Sequence, residues 1–199
     1  MPTVTTLRDV AGIGHQPAAL SQSALVIIDC QNTYREGVMQ LVGVEPALAE
    51  VARLLVRART AGIPIFHVMH DAGPGTPYDI RAEIGQISDP VRPQAGEPVI
   101  VKTYPNSFWE TDLDSQLRAL GIQSLVLCGF MTHVCVNSTA RGAFNLGYQA
   151  TVVGDATATR DLPGVDGSIV PAPTLKAATL AGIRDLFAVV VSKVDDLPA

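Results

Sequence analysis

Residues 23–30 read Ser-Ala-Leu-Val-Ile-Ile-Asp-Cys, an uncharged apolar run that ends in a carboxylate. We predict a strand over 24–29. Five similar short runs follow it, at residues 63–68, 99–101, 124–129, 151–154 and 186–191. Short runs rich in Val, Ile and Leu are typical of strands that are covered on both faces of a parallel sheet. The sequence therefore predicts an α/β fold in which such strands alternate with helices.

Four helices are predicted between these strands. They span about 45–61, with Gly62 after the last turn, then Thr111 to Gly121, Thr132 to Gly147, and about 174–182. For the second helix we expect a capping box, because the Thr111 hydroxyl is followed three residues later by Asp114. The Gly- and Pro-rich stretches at 73–77 and 163–173 are predicted to be loops at the rim of the sheet.

Composition limits the class of protein. The chain has 199 residues, of which 47% are apolar and 17% charged, and its net charge is −5. These values exclude intrinsic disorder and a basic nucleic-acid surface, and they predict one domain over 1–199. No apolar run is long enough to cross a membrane, and Arg8, Asp9 and His15 interrupt the place of a signal peptide. A cytoplasmic protein without membrane or nucleic-acid partners is the expectation.

Chemically reactive residues stand at three strand ends. Asp29 closes the first run, Lys102 closes the third, and Cys135 follows the turn after the fourth. Ligands of open α/β sheets bind at the carboxyl ends of the strands, so these side chains are candidates for one site. Taken alone, Asp29 has even odds of being only a loop cap, and Lys102 is more weakly supported because most lysines are solvated.

Cys135 is the most informative of the three cysteines. If Thr132 is the N-cap, Cys135 is the third residue of a helix, where free N–H groups and the helix dipole favour a thiolate. Cys128 lies in mid-strand and Cys30 points away from Asp29, so we interpret both as structural. Three cysteines without a Cys-x-x-Cys spacing do not form a disulfide framework or a zinc site.

Three segments together resemble the isochorismatase-like cysteine hydrolases, which include nicotinamidases and carbamoylsarcosine amidohydrolases. They are Ile-Ile-Asp-Cys-Gln-Asn at 27–32, Val-Lys-Thr-Tyr-Pro-Asn-Ser-Phe at 101–108 and Gly-Phe-Met-Thr-His-Val-Cys-Val-Asn-Ser-Thr-Ala at 129–140. The last segment would rarely arise by chance, and Gly-Asp-Ala-Thr at 154–157 agrees with it. The resemblance covers about 23–191.

The resemblance implies a three-layer Rossmann-like fold, with a six-stranded parallel sheet and helices on both faces. It also implies an Asp29-Lys102-Cys135 triad with Cys135 as nucleophile. A cis peptide at Phe130-Met131 would aim the Met131 N–H, beside that of Cys135, at an oxyanion. Relatives are commonly dimers or tetramers, and no organic cofactor is implied.

The expected activity is hydrolysis of a small amide, ureido or carbamoyl compound through a thioester on Cys135. Isochorismatases proper lack that cysteine. Two alternatives of other classes stay open: a thiol-based redox protein, which has no resolving cysteine nearby in sequence, and a non-catalytic binding protein of the same fold. A dinucleotide-binding protein is disfavoured because Gly12-Ile13-Gly14 precedes the first strand instead of following it.

Nicotinamidases hold a metal with an Asp-x-His pair and a further His, and this chain offers only His67 and His70 in that region. Residues three apart on a strand face opposite sides, so these two histidines are poorly placed to bind one ion together, and a metal-free site is predicted. We expect His67 in the core and His70 at the pocket. Further pocket candidates are aromatic or polar, and the loops 71–93 and 161–173 are expected to set specificity. These candidates are Tyr34, Tyr104, Trp109, Phe130 and His133.

Overall fold

A computed structural model describes residues 4–199, and a six-stranded parallel sheet lies at its centre. Its strands are β1 Ser23–Ile28, β2 Ile65–His70, β3 Val99–Lys102, β4 Ser124–Phe130, β5 Gln149–Ala158 and β8 Val189–Val191, while β6 Leu162–Pro163 and β7 Ile169–Val170 form a separate hairpin. The order across the sheet is β3-β2-β1-β4-β5-β8, with every neighbouring pair parallel. Strand order reverses between β1 and β4, and at such a point the loops leave a crevice at the carboxyl edge.

The helices cover both faces of this sheet. They are α1 Leu7–Ala11, α2 Val44–Ala61, α3 Leu113–Ala119, α4 Asn137–Asn145 and α5 Ala172–Leu186. One apolar cluster joins the buried stripe of α2 to Leu25 and Ile27. A second cluster joins α3, α4 and α5 to Ala24, Val26 and Ile28. Alternate residues of β1 thus enter opposite layers, and the predicted three-layer α/β fold is confirmed.

The boundaries of several elements differ from the predicted ones. β5 extends over ten residues, and α5 begins before 174 and continues to Leu186, so that β8 is only three residues long. The predicted loop 163–173 contains part of a small antiparallel hairpin made of β6 Leu162–Pro163 and β7 Ile169–Val170. Helix α2 matches its prediction and ends at Gly62 in the left-handed conformation.

The capping box predicted at Thr111 is wrong. Helix α3 begins two residues later, its N-cap is Asp112, and no side chain caps it. The Thr111 hydroxyl instead donates to the carbonyl of Ser107 at 2.6 Å. A local hydrogen bond to the preceding loop therefore competes with the cap.

Strand β3 departs from the expectation that all strands are covered on both faces. It lies at the edge of the sheet, and the exposed fractions of Val99 and Val101 are 41% and 46%. Ile100 and Lys102 point inward and are buried. The last residue of this strand therefore delivers its side chain to the interior at the carboxyl edge.

No helix among residues 4–199 combines the length and apolar character that crossing a bilayer requires.

Candidate active site

Asp29 follows β1 directly and stands beside the crevice at the strand-order reversal. Its backbone has φ 50°, a left-handed conformation that few residues other than Gly, Asn and Asp adopt. The Asp29 N–H donates to the carbonyl of Val68 at 2.9 Å, so the neighbouring strand holds the turn in place. The side chain is fully buried, and its Oδ1 atom has no hydrogen-bond partner among the described residues. One carboxylate oxygen is thus left with capacity to accept a proton.

Lys102 joins the three strand ends. Its Nζ donates to Asp29 Oδ2 at 2.7 Å, lies 3.5 Å from Cys135 Sγ, and lies 3.4 Å from His70 Nδ1. The side chains of Lys102 and Asp29 are both 0% exposed. Burial is the largest influence and lowers the pKa of Lys102, but the charges of Asp29 and Cys135 and the hydrogen bonds to both together outweigh it and leave the pKa above its ordinary value. The ammonium therefore stays charged and holds the site together.

Cys135 lies in a π-helical turn, Thr132–Val136, that leads into α4. The predicted N-cap at Thr132 is wrong, because Met131 takes that position and the buried Thr132 hydroxyl has no partner among the described residues. Burial, followed by the negative charge of Asp29, raises the pKa of the Cys135 thiol, while Lys102 acts in the opposite direction. Burial therefore opposes the thiolate that the predicted helix start would favour, and a thiolate forms here only where a base takes the proton.

The chain between β4 and this turn contains a cis peptide at Phe130-Met131, as the resemblance implied. Just before it, Gly129 has φ 112°, and a Cβ there would lie 2.0 Å from the carbonyl oxygen of Ile28. Only glycine permits so close an approach of β4 to β1. The same close approach brings the segment that carries Cys135 next to the end of β1.

His70 reaches the site from the end of β2. The Lys102 ammonium has only donors, so His70 Nδ1 accepts, and the ring is neutral with its hydrogen on Nε2. Burial and then the charge of Lys102 lower the pKa of His70, in agreement with a neutral ring. The edge of Tyr78 packs on this ring with centroids 5.2 Å apart. His70 at the strand end thus contacts Lys102, and its place in a substrate pocket stays a prediction.

Tyr34 and Phe130 are buried neighbours of the site. Their ring centroids lie 5.8 Å apart at an interplanar angle of 74°, and Tyr34 also meets Tyr78 edge-on at 5.8 Å. Both candidates are less than 2% exposed, so they shape the floor of the site by packing. Tyr78 was not predicted, because it comes from the loop between β2 and β3, where no periodic pattern places a side chain.

Tyr104 and Trp109 lie apart from the triad. They meet each other edge-on at 6.4 Å and are 46% and 57% exposed. They line an open depression of about 450 Å³ together with Asn106 and Ser138, and no triad residue lines it. Contact of these two rings with a substrate on Cys135 stays a prediction.

His133 belongs to the same π-helical turn as Cys135. Its Nδ1 lies 2.5 Å from the hydroxyl of Thr159, the residue that follows β5. Burial and the positive charge of Arg160 lower the pKa of His133. A neutral imidazole is therefore fixed between the turn that carries Cys135 and the end of β5.

Gln31 is a buried residue whose role sequence reasoning did not identify. Its Nε2 donates to the carbonyls of His70 at 3.0 Å and Gly85 at 2.7 Å, and its Oε1 accepts the His70 N–H at 2.9 Å. This amide fixes the end of β2 against the loop 71–93. Gln31 stands in the 27–32 motif, but its hydrogen-bond partners, His70 and Gly85, could be identified only from the fold.

His67 and Asp71 are engaged elsewhere. His67 is buried with its Nε2 2.8 Å from Glu97 Oε2, so it lies in the core as predicted. Asp71 accepts two hydrogen bonds from Arg81, at 2.9 and 3.0 Å. No group of three His, Cys, Asp or Glu residues that suits a metal ion occurs between residues 4 and 199. Metal independence itself stays a prediction.

The sequence model of the isochorismatase domain matches residues 23–193. The chain belongs to the isochorismatase family. It is similar to a crystal structure of an isochorismatase from Pseudomonas putida, with a TM-score of 0.94 and 40% identity over 98% of this chain and 100% of that one. The family likeness seen in the three sequence segments is thereby confirmed.

Two curated relatives show how varied the family is. A secreted isochorismatase effector of Verticillium dahliae is 36% identical over 193 residues, which cover 96% of this chain and 99% of that protein. A ureidoacrylate amidohydrolase of Variovorax paradoxus is 34% identical over 180 residues, which cover 71% of each. The chain is thus a member of a hydrolase family that includes amidohydrolases acting on C–N bonds.

Proposed function

We propose that this protein is an amidohydrolase that cleaves the C–N bond of a small amide, ureido or carbamoyl compound through a thioester on Cys135. The observation that carries the proposal is the contact of one buried ammonium, Lys102 Nζ, with both Asp29 Oδ2 and Cys135 Sγ. A carboxylate, a cation and a thiol within one buried cluster are the parts that nucleophilic acyl transfer needs. The ureidoacrylate amidohydrolase among the relatives supports the substrate class.

Acylation begins with transfer of the thiol proton from Cys135 to Asp29. Because the pKa of the thiol is raised by burial and by Asp29, the thiolate forms only as the carboxylate takes the proton, and Lys102 stabilises the new charge. The sulfur attacks the carbonyl carbon, and the π electrons move to the oxygen. The N–H groups of Met131 and Cys135 are the proposed donors to that oxyanion.

Deacylation regenerates the site. As the oxyanion collapses, the C–N bond breaks and Asp29 returns its proton to the leaving nitrogen, which departs as ammonia or an amine. Asp29 then takes a proton from water while the hydroxide attacks the thioester carbonyl. Collapse of this second intermediate breaks the C–S bond, and the sulfur leaves as a thiolate beside Lys102 before it is protonated. Every step uses residues of this chain.

The test is ammonia release from a panel of small amides, ureas and carbamoyl compounds, with Cys135→Ala as the control. We expect turnover of at least one class and a loss of at least about 1000-fold in the variant. Mass spectrometry of acid-quenched enzyme then finds the acyl group on Cys135. Turnover that survives Cys135→Ala contradicts the proposed mechanism, and the absence of any turnover contradicts the proposed activity.

A further inference from the structure

The chain segment that follows Lys102 packs on the helix that follows Cys135. Ser107 lies five residues after the end of β3, and Thr139 lies in α4; both are fully buried. The Ser107 N–H donates to Thr139 Oγ1 at 3.0 Å, and the two hydroxyl oxygens lie 2.8 Å apart. A polar pair therefore joins the two segments inside the protein.

A second contact lies about one turn further along α4. A Cβ at Gly142 would lie 2.5 Å from Asn106 Oδ1, so the Asn106 side chain rests directly against the helix backbone. Thr139 and Gly142 are three residues apart and therefore on one face of α4. Asn106 Oδ1 also accepts the N–H of Phe108 at 3.0 Å, which fixes the segment locally. We call these two contacts, of Ser107 with Thr139 and of Asn106 with Gly142, the α4 clamp.

The α4 clamp connects the segments that carry Lys102 and Cys135. Thr139 follows Cys135 by four residues, which is about 6 Å along a helix. Lys102 Nζ is held by Asp29 Oδ2 at 2.7 Å, and Cys135 Sγ lies 3.5 Å from the same ammonium. Within residues 4–199 no side chain caps the start of the π-helical turn at Thr132 or the start of α4. The position of Cys135 relative to Lys102 therefore depends on how α4 is held.

The distance between the ammonium and the sulfur decides how much the ammonium stabilises a thiolate. The attraction between opposite charges falls with their separation, and it is stronger in a buried site than in water. Displacement of a reacting group by about 1 Å costs up to about 100-fold in rate. Two bonded hydroxyls in the interior also specify one arrangement of their segments, because a shift would leave buried polar groups unpaired. A hydrogen-bonded clamp therefore fixes the separation more sharply than apolar packing would.

We propose that Thr139 and Ser107 are positioning residues, whose hydrogen bonds hold the turn of Cys135 at the distance from Lys102 at which the ammonium stabilises the thiolate. Their role in turnover rests on the proposed function. Their role in thiol reactivity needs no substrate, because alkylation of Cys135 also requires the thiolate. The two roles can therefore be tested separately.

The experiment compares the wild type with Thr139→Val, which removes the hydroxyl at nearly the same side-chain size. Peptide mass spectrometry follows the alkylation of Cys30, Cys128 and Cys135 by iodoacetamide over a range of pH around neutrality. We expect the rate at Cys135 to fall at least about fivefold and its pH profile to move to higher pH, because a more distant ammonium lowers the pKa of the thiol less. On the best substrate, kcat should fall about 10- to 100-fold with little change in KM.

A merely structural role of the α4 clamp predicts the opposite change in alkylation. Looser packing of α4 would expose buried thiols, so the rates at Cys30, Cys128 and Cys135 would rise together. The direction of the change at Cys135 therefore separates positioning from stability.

Three further variants serve as controls. Thr139→Ser keeps the hydroxyl and should keep the Cys135 rate and kcat within about threefold of the wild type. Ser107→Ala keeps its N–H donor but loses one hydroxyl, so its effect should be intermediate. Ser23→Ala removes a buried hydroxyl that donates to the Ala19 carbonyl at 2.9 Å at the start of β1, and it should change neither quantity. Thermal melting shows whether each variant is folded.

Slower alkylation of Cys135 alone in Thr139→Val supports the proposal. A wild-type rate and pH profile at Cys135, or faster alkylation of all three cysteines, overturns it and leaves the proposed function intact. If Thr139→Val does not fold, Ser107→Ala decides by the same measurement, and an unchanged rate at Cys135 overturns the proposal. If no substrate is turned over, the proposed function fails, and the alkylation result still decides whether the α4 clamp positions the thiol.

Discussion

Two clusters of charged residues flank strand β2, and their carboxylates differ in how completely they are hydrogen-bonded. The Glu97 cluster consists of Arg59, His67 and Glu97. Both carboxylate oxygens of Glu97 accept hydrogen bonds. Oε1 accepts one from Arg59 Nε at 2.8 Å, and Oε2 accepts three, from Arg59 Nη2, the Gln94 N–H and His67 Nε2, at 2.8–2.9 Å. This carboxylate has no capacity left for another hydrogen bond. We therefore interpret the Glu97 cluster as one that stabilises the fold.

The Asp29 cluster consists of Asp29, His70, Lys102 and Cys135. Here only one carboxylate oxygen is bonded, to Lys102, and the other has no partner among the described residues. Hydrogen bonding to Arg59 lowers the pKa of Glu97 to about 2, which fixes it as a charge. In the Asp29 cluster the pKa of the thiol is raised instead, and a proton can move within the cluster. The unpartnered carboxylate oxygen distinguishes the Asp29 cluster from the Glu97 cluster, in which the carboxylate is fully bonded and the buried atom without a partner in residues 4–199 is His67 Nδ1.

The largest expected effect is loss of turnover when the Asp29 cluster is broken. Asp29→Asn, Lys102→Met and Cys135→Ala should each lower kcat by at least about 1000-fold, because each removes a part of one proton-transfer unit. The double variants should be little worse than the single ones. Steady-state kinetics on the best substrate measures this, and independent, additive losses would show that at least one residue only supports the fold.

Breaking the Glu97 cluster should lower stability without abolishing turnover. The folded-state pKa of Glu97, about 2, lies below its ordinary value of 4.5, so its ionised form stabilises the fold above pH 4.5. That contribution is lost as the pH falls from 4.5 through 2. From the size of the shift, Glu97→Gln should lower the free energy of unfolding at pH 7 by about 3 kcal/mol.

Urea denaturation of the wild type and Glu97→Gln at pH 7 and pH 2.5 measures the difference, which should shrink at the lower pH. The matched comparison is Asp29→Asn/Lys102→Met. Replacing that buried ion pair by neutral groups of similar size should change the free energy of unfolding at pH 7 by no more than about 1 kcal/mol, because the cost of burying two charges also disappears. A larger loss than that of Glu97→Gln would show that the two clusters do not differ as described.

The smallest expected effect is that of chelation, which should leave turnover unchanged. His67 is bonded to Glu97 while His70 contacts Lys102, so the two imidazoles do not converge on one ion. Activity is measured before and after treatment with a chelator and dialysis, together with elemental analysis. Loss of turnover that one divalent ion restores would contradict this prediction and would favour nicotinamide as the type of substrate.

Much of the sheet and the location of the site could be predicted from the residues at which the apolar runs end. Apolar runs that stop at Asp29 and Lys102 fix both the strands and the edge at which their side chains meet, because parallel strands share one carboxyl edge. Cys135 was predicted from its motif, but the π-helical turn around it was not. Threonine is a residue type that often caps helices, yet Thr132 does not cap this one. Local residue type did not reveal how the cis peptide redirects the chain.

Residues from loops were the ones missed. Tyr78 packs on His70 from a segment without periodicity, and the position of its loop depends on long-range contacts such as that of Gln31 with Gly85. Tyr104 and Trp109 were predicted as pocket residues because they are aromatic, and the fold leaves both exposed, so their contact with a substrate stays a prediction.

Alkylation of the three cysteines by iodoacetamide near neutral pH tests the central claim most directly. Burial raises the pKa of all three thiols, but among them only Cys135 lies beside an ammonium, with its Sγ 3.5 Å from Lys102 Nζ. Peptide mass spectrometry should find Cys135 modified faster than Cys30 and Cys128, and Asp29→Asn should slow only the reaction of Cys135. Preferential labelling of Cys128 with Cys135 inert would contradict the account.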